Sequence, residues 1–156
     1  YSEGEIDFIN FLDQVKTVIG LDGQKMSKSY RNTIPLFAEE RELKQLVMSI
    51  KTDSKGESEP KNPEECNVFS LHKLFSAADL PELKRRYVNG AIGYRESKEI
   101  LFKQMNVYLA PLRAKRQGIA GDRVRVLEIL RQGGVKARAR ASEKMEKVRK
   151  AVGVSE

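Results

Sequence analysis

A short polar segment, Lys25-Met26-Ser27-Lys28-Ser29, carries the side chains best suited to chemistry on a phosphate group. Each lysine offers a compact positive charge and three N–H donors on a flexible stem, so it can follow charge as it moves onto a phosphate. Serine hydroxyls and backbone N–H groups add shorter contacts. The segment differs from the glycine-rich phosphate loop, which needs a second glycine and a following helix. It therefore predicts a loop that surrounds a triphosphate in another way.

The other reactive side chains exclude several mechanisms. The chain has one histidine, His72, and one cysteine, Cys66. A zinc site built from histidine and cysteine cannot form from them, and no metal site is predicted. A serine hydrolase triad would need His72, which lies in an amphipathic helical stretch and is expected at a helix surface or at the edge of the core. Cys66 is expected to be a buried or helix-start thiol without a catalytic role.

The pentapeptide is identical to the KMSKS motif of class I aminoacyl-tRNA synthetases. Its flanks, residues 20–23 and 32–37, resemble the tryptophanyl-tRNA synthetase family in particular. Further similar segments are residues 52–54, 59–64, 66–75, 93–94 and 136–153. The resemblance covers essentially everything from Gly20 onward, whereas residues 1–19 match the family poorly and receive no function.

This resemblance implies part of a tryptophan–tRNA ligase, an enzyme of protein biosynthesis. Such an enzyme activates tryptophan with ATP to tryptophanyl-adenylate and transfers the amino acid to its tRNA. Lys28 would contact the ATP phosphates with help from Lys25, which makes these two the implied catalytic residues. The implied ATP-binding residues form a mobile loop: Lys25, Met26, Ser27, Lys28 and Ser29. ATP is a substrate, Mg²⁺ is expected for the full enzyme, and no tightly bound cofactor is implied.

One departure from the family concerns its other ATP motif. His-Ile-Gly-His needs two histidines, and this chain has only His72. The nucleotide-binding parallel sheet and the tryptophan pocket are missing as well. Because Tyr1 is not a natural initiator, we expect a fragment of a longer enzyme, with a truncated paralogue as the alternative. The chain alone is predicted to be inactive, and the full-length enzyme is expected to be a homodimer.

Apolar spacing predicts the elements that must position the loop. Helices are predicted at residues 39–50, 64–77, 81–89 and 94–117, and in a last stretch that starts after Gly121-Asp122. The fold class is therefore all-α, a helical bundle. The bundle follows the KMSKS loop, which we assign to the end of a class I nucleotide-binding, Rossmann-like domain that is absent. We assign residues 1–38 to the tail of that catalytic domain and 39–156 to a helical anticodon-binding domain.

Several local features carry their own expectations. Pro35 is expected in the first turn of a helix, Pro111 is expected to kink or interrupt one, and Gly133-Gly134 is expected to weaken or bend the last helix. Periodicity does not decide between helix and strand for residues 6–19. Tyr87, Tyr94 and Tyr108 are expected to pack in the core with an exposed hydroxyl, and stacking on RNA bases is the alternative.

Net charge indicates the kind of partner. Lysine and arginine outnumber aspartate and glutamate by 29 to 22, a formal charge of +7, which favours a polyanion such as RNA or DNA. The resemblance implies tRNA docked on the helical bundle. The candidate cations are Arg85, Arg86, Arg113, Lys115, Arg116, Arg138 and Arg140. The first five are the preferred RNA-binding residues, because they form clusters near helix ends. For each of them, a solvated helix face is the competing interpretation.

Two functions from other classes stay open beside the ligase. One is a non-catalytic tRNA- or RNA-binding helical module derived from the synthetase, and the other is a structural interaction bundle with incidental charge. No apolar run approaches the roughly 20 residues that cross a bilayer, and the acidic N-terminus lacks the features of a secretory signal. One cysteine favours a reducing compartment. A cytoplasmic location without a membrane partner is predicted.

Overall fold

The structure is a computed structural model that describes residues 17–154. Five α-helices in this range are α1 Glu40–Met48, α2 Asn67–Phe75, α3 Leu80–Val88, α4 Tyr94–Gly121 and α5 Arg123–Ala151. Before them come one 3-10 turn, Lys28–Tyr30, and one antiparallel bridge between Ile19 and Lys25; longer strands do not occur in the described range. The all-α prediction is confirmed, whereas most of the undecided stretch 6–19 lies outside the described residues.

The chain forms two compact units, and the boundary falls within α4 between Arg113 and Ala114. The first unit contains the hydrophobic core. Side chains spaced three or four positions apart share one face of a helix, and in α1 these are the fully buried Leu43 and Val47. Helix α4 continues the pattern with residues four apart: Leu101, Met105 and Leu109. In α2, Phe69 and Leu71 are buried, and Leu74 and Phe75 pack partly buried against the core.

Prolines and glycines affect the helices less than predicted. Pro35 was expected in a first turn, and this is wrong: its carbonyl accepts the Ala38 N–H at 3.1 Å in a separate turn before α1. Helix α4 runs past Pro111 to Gly121, and α5 runs through Gly133-Gly134 without a break. A Cβ added at either glycine would meet nothing within 4 Å outside the backbone of its own helix, so no close approach requires glycine at these two positions.

A chain of polar side chains crosses the core of the first unit. The Nδ1 atom of His72 lies 2.8 Å from the Ser76 hydroxyl. Its Nε2 atom lies 3.1 Å from both the carbonyl and the hydroxyl of Ser97. The Tyr87 hydroxyl contacts the same Ser97 hydroxyl, and the Cys66 thiol donates to Tyr87. The predicted surface or core-edge position of His72 is therefore wrong, because every polar atom of its ring finds a partner inside.

A buried lysine ties down the long irregular segment between α1 and α2. Lys61 is 2% exposed. Its ammonium donates to the carbonyls of Gly56, Glu57 and Glu59 at 2.8, 3.1 and 2.9 Å. The ammonium also lies 5.3 Å from the centre of the Tyr94 ring. Three carbonyl oxygens and an aromatic face replace the water around the charge, which is the condition for burying a lysine.

The second unit, described by itself, contains α5. None of the described side chains of this helix is buried. Ion pairs one turn apart, Glu143–Lys147 and Glu146–Lys150, stabilise it on the solvent side. Helix α5 has ten basic and three acidic residues, so its formal charge of +7 equals that of the whole chain. The rest of the chain has 19 basic and 19 acidic residues. No helix of the described range is long and apolar enough to cross a membrane.

The buried histidine predicts a pH-dependent stability. Burial lowers the pKa of His72 from 6.5 to about 4, against smaller opposing effects of Ser97 and Asp79. Because the unfolded chain binds the proton first, stability is complete above pH 6.5 and is lost as the pH falls toward 4. Denaturant unfolding of this chain should show a loss of about 2 kcal/mol between pH 8 and pH 5. His72→Gln should be less stable at pH 8 and lose most of this dependence; an unchanged pH profile in that variant would contradict the assignment.

Candidate functional site

The base of the lysine loop is held by one side-chain amide. Asn32 is 2% exposed. Its oxygen accepts the Ser27 N–H at 2.8 Å, and its nitrogen donates to the Asp22 carboxylate at 2.7 Å and to the Lys25 carbonyl at 3.2 Å. The same carboxylate oxygen accepts the Gln24 N–H at 3.0 Å. The hydrogen bond from Asn32, and then that from Gln24, lowers the pKa of Asp22 below its usual value, so the carboxylate stays ionised at neutral pH.

Hydrogen bonds join the base of the loop to the helices of the first unit. The Lys51 N–H, beyond the end of α1, donates to the Leu21 carbonyl at 2.8 Å. The Asn67 side chain, in the first turn of α2, donates to the Lys51 carbonyl at 2.9 Å. Gly23 has a φ of +88°, and a Cβ there would lie 2.9 Å from the Asn67 amide. Glycine is therefore required at this position for its backbone and for its size.

The tip of the loop carries the two predicted catalytic lysines. Ser27 caps the turn Lys28–Tyr30, because its hydroxyl accepts the Ser29 N–H at 3.3 Å. Arg31 ends the turn with a φ of 54°, and its N–H donates to the Lys28 carbonyl. Lys25 and Lys28 are both exposed, and within residues 17–154 neither ammonium has a hydrogen-bond or ion-pair partner. The structure thus presents two unpaired cations on a hydrogen-bonded frame.

This frame is a feature that the sequence interpretation missed. A loop rich in glycine, lysine and serine has little apolar surface to bury, so few contacts were expected. Polar contacts replace the apolar ones here, and they centre on Asn32 and Asp22. The one available signal was the pair itself: an aspartate and an asparagine on either side of the lysines, both residue types that bond to nearby backbone. Motion of the loop stays a prediction.

The candidate RNA-binding residues lie at several places. In α3, Arg85 pairs with Glu82, and Arg86 pairs with Glu96 and donates to the Ala91 carbonyl. Arg113 is half-buried and donates to the Ala38 carbonyl at 3.2 Å and to the Asn106 side chain. Contacts within the protein therefore occupy these three arginines. Lys115 and Arg116 follow Arg113 in α4 and are exposed. The RNA-binding role of these candidates stays a prediction.

The three tyrosines differ from one another. Tyr87 is fully buried together with its hydroxyl, so the predicted exposed hydroxyl is wrong for this residue. Tyr94 is half-buried and donates to the Asp53 carboxylate at 2.7 Å. Tyr108 is 62% exposed, with its ring edge-on to Phe75 at 5.6 Å between centres. Of the three, only Tyr108 presents most of its ring to solvent.

Comparison with known families assigns the chain. The model of the family described as tRNA synthetases class I (W and Y) matches residues 10–110. That range contains the lysine loop, the Asn32 frame and most of the first unit. The chain belongs to this family. Within the class I synthetases, its similar relatives are tryptophan–tRNA ligases. The ligase of Rhodopirellula baltica is 38% identical over 92% of this chain and 45% of the relative, and that of Campylobacter jejuni is 41% identical over 91% and 45%.

Solved structures of a class I synthetase have the same fold. The crystal structure of tryptophanyl-tRNA synthetase from Campylobacter jejuni complexed with ADP and tryptophan matches with a TM-score of 0.78 at 41% identity. The match covers 88% of this chain and 43% of that one. A second structure of the same enzyme matches with a TM-score of 0.74. The chain thus spans less than half the length of these relatives, and the matched half is helical as predicted.

The close approach of Gly20 to Asn32 predicts the effect of adding one methyl group. A Cβ on Gly20 would overlap the side-chain amide of Asn32 and would lie 2.8 Å from the backbone carbonyl oxygen of Asn32. Gly20→Ala should displace the amide and destabilise this chain by about 1–3 kcal/mol. Hydrogen exchange at the Ser27 N–H, measured by NMR, should speed up. Gly118→Ala is the matched control, because a Cβ added there in α4 would meet nothing within 4 Å outside the backbone of its own helix. Equal exchange at Ser27 in the wild type and Gly20→Ala would show that the amide does not hold the loop.

Proposed function

We propose that this chain is part of a tryptophan–tRNA ligase that activates tryptophan with ATP and transfers it to tRNA. The proposal is carried by two exposed ammonium groups, Lys25 and Lys28, which have no hydrogen-bond or ion-pair partner within residues 17–154 and lie on a hydrogen-bonded loop. The family match across that loop and the likeness to a synthetase solved with ADP and tryptophan support the nucleotide as ligand. The nucleotide-binding sheet and the tryptophan pocket would come from the remainder of the enzyme, so this chain alone is expected to be inactive.

The chemistry proposed for the loop is electrostatic. The tryptophan carboxylate attacks the α-phosphate of ATP, the bond to the β-phosphate breaks, and pyrophosphate leaves. Negative charge builds on the departing phosphates in the transition state. Lys28, with Lys25 beside it, would stabilise this charge, and closure of the loop would exclude water from the reactive adenylate. Backbone N–H groups and the hydroxyl of Ser29, which is exposed at the tip, would add neutral donors.

The metal ion expected with ATP would be bound mainly by the nucleotide. No group of three or more histidine, cysteine, aspartate or glutamate residues is placed to hold a metal within residues 17–154. The carboxylate at the base of the loop, Asp22, accepts hydrogen bonds from the Asn32 side chain and the Gln24 N–H. We therefore propose Mg²⁺ as a companion of the phosphates and assign it no ligand in this chain. The homodimer and the cytoplasmic location also stay predictions.

We further propose that the helices from residue 39 onward bind the tRNA, as the anticodon-binding domain of the ligase. The excess of positive charge lies in α5, where ten basic residues meet three acidic ones and none of the described side chains is buried. This concentration also supports the second candidate, an RNA-binding module without catalysis. Similarity to ligases over nine-tenths of the chain, including the lysine loop, favours the enzyme.

Removal of Lys28 tests the catalytic part of the proposal. In the full-length enzyme, Lys28→Ala should slow adenylate formation by about tenfold or more, while tryptophan affinity changes little, because the lost contact is to phosphates. Single-turnover adenylate formation and tryptophan binding are measured on the same preparations. Lys55→Ala, an exposed lysine outside the loop, is the control and should react at the wild-type rate. Unchanged adenylate formation in Lys28→Ala would show that the lysine is not used.

Charge reversal tests the RNA surface. Binding of tRNA should weaken with salt, at a log–log slope of about −0.7 to −0.9 per phosphate contact. Reversal of Arg113, Lys115 and Arg116 together should lower the affinity and flatten the slope. A second triple reversal, at Lys136, Arg138 and Arg140, tests α5 in the same way. Filter binding across a salt series gives both values, and circular dichroism checks that helicity is kept. Wild-type slopes and affinities in both variants would mean that neither surface contacts RNA.

A further inference from the structure

The Asn32 amide satisfies three backbone or side-chain groups of the loop at once. Its oxygen accepts the Ser27 N–H, and its nitrogen donates to the Lys25 carbonyl and to Asp22. Its own backbone carbonyl accepts the Leu21 N–H at 3.0 Å. We propose that Asn32 is the positioning residue that sets where the two loop lysines point when they meet the ATP phosphates. This inference rests on the proposed function and adds to it a residue that touches no reacting atom.

The backbone on both sides of Lys25 is fixed by Asn32 and Asp22 together with two backbone hydrogen bonds, from the Gly20 N–H to the Gln24 carbonyl at 2.7 Å and from the Met26 N–H to the Val18 carbonyl at 2.8 Å. Asp22 holds the Gln24 N–H just before the lysine. Asn32 holds the carbonyl of the lysine itself and the N–H of Ser27, two positions later. Since the backbone is fixed before and after the lysine, the direction of its Cα–Cβ bond is fixed as well. The long side chain then searches a restricted cone rather than the whole surface.

The same amide controls Lys28 through Ser27. Ser27 begins the 3-10 turn that contains Lys28, and its carbonyl accepts the Tyr30 N–H at 3.2 Å while its hydroxyl accepts the Ser29 N–H. The Ser27 N–H is the group that Asn32 holds, at 2.8 Å. Displacement of the amide would therefore release the start of the turn and change the direction of Lys28. Asn32 is thus the side chain that contacts the backbone at both lysines, at the Lys25 carbonyl and at the Ser27 N–H that begins the turn of Lys28.

No other residue type offers this set of groups. The position needs one acceptor and two donors on a planar group with a short stem, which is the asparagine amide. Aspartate has the same shape but no donor, and it would place a second carboxylate against Asp22. Glutamine has the donors but is one methylene longer, and the close approach of Gly20 leaves it no room. The site therefore selects asparagine by its chemistry and its size.

The test is kinetic and is carried out in the full-length enzyme. Asn32→Asp keeps the acceptor, removes both donors and introduces repulsion with Asp22. It should slow adenylate formation by about tenfold or more and raise the KM for ATP, with tryptophan affinity unchanged, because misplaced phosphate-binding groups cost rate. Asn32→Asp combined with Asp22→Asn restores one donor–acceptor pair with the roles exchanged. The combined variant should recover part of the rate, whereas Asp22→Asn alone should be mildly impaired.

A double-mutant cycle separates positioning from general damage. If Asn32 acts through the lysines, Asn32→Asp should cost less than about threefold in an enzyme that already carries Lys25→Ala and Lys28→Ala. Equal losses in both backgrounds, or wild-type kinetics in Asn32→Asp, would overturn the inference. If thermal unfolding shows that Asn32→Asp does not fold, Gly20→Ala, whose added methyl group displaces the same amide, is judged by the same two criteria. A wild-type enzyme that forms no adenylate would instead refute the proposed function, so the two failures are distinguishable.

Discussion

The need of every buried polar group for a partner governs this protein more than its apolar core does. A loop that must present unpaired lysines to solvent cannot hold itself by burying apolar side chains, because it has few of them. The Asn32 amide solves the problem by satisfying backbone groups from the inside, at 2% exposure. Asp22 completes the arrangement with a charged acceptor. Because hydrogen bonds at the base hold the loop in place, the two lysines at the tip need no partner within residues 17–154 and can bind a ligand.

Among the helices of the first unit, buried polar side chains likewise have hydrogen-bond partners. His72, Ser97 and Tyr87 form a fully partnered polar chain between three helices, and such networks specify one arrangement of the packed elements rather than several. Lys61 gathers three carbonyls of an irregular segment that has no backbone ladder of its own. The loop is joined to this unit through the backbone of Lys51, so its base is part of the same hydrogen-bonded body.

Sequence reasoning succeeded where the information is local. Apolar residues three and four positions apart predicted the helices, and a five-residue motif predicted the lysine loop. It failed where the partner is distant: the ring of His72 meets Ser97, 25 positions away, and Asn32 meets Asp22, 10 positions away. Asparagine and lysine are mostly exposed in proteins and histidine is intermediate, so residue type alone does not predict that Asn32, Lys61 and His72 are buried. The prediction that Pro35 lies in the first turn of a helix failed because proline is common in turns as well as at helix starts.

The location of the net charge has a consequence for handling the protein. Outside α5 the chain is electrically balanced, so the mutual repulsion that keeps molecules dispersed comes from one helix. The net charge that attracts the chain to a negatively charged chromatography matrix therefore equals the net charge of that helix. Cleavage or covering of the helix should then lower the salt concentration at which the protein elutes.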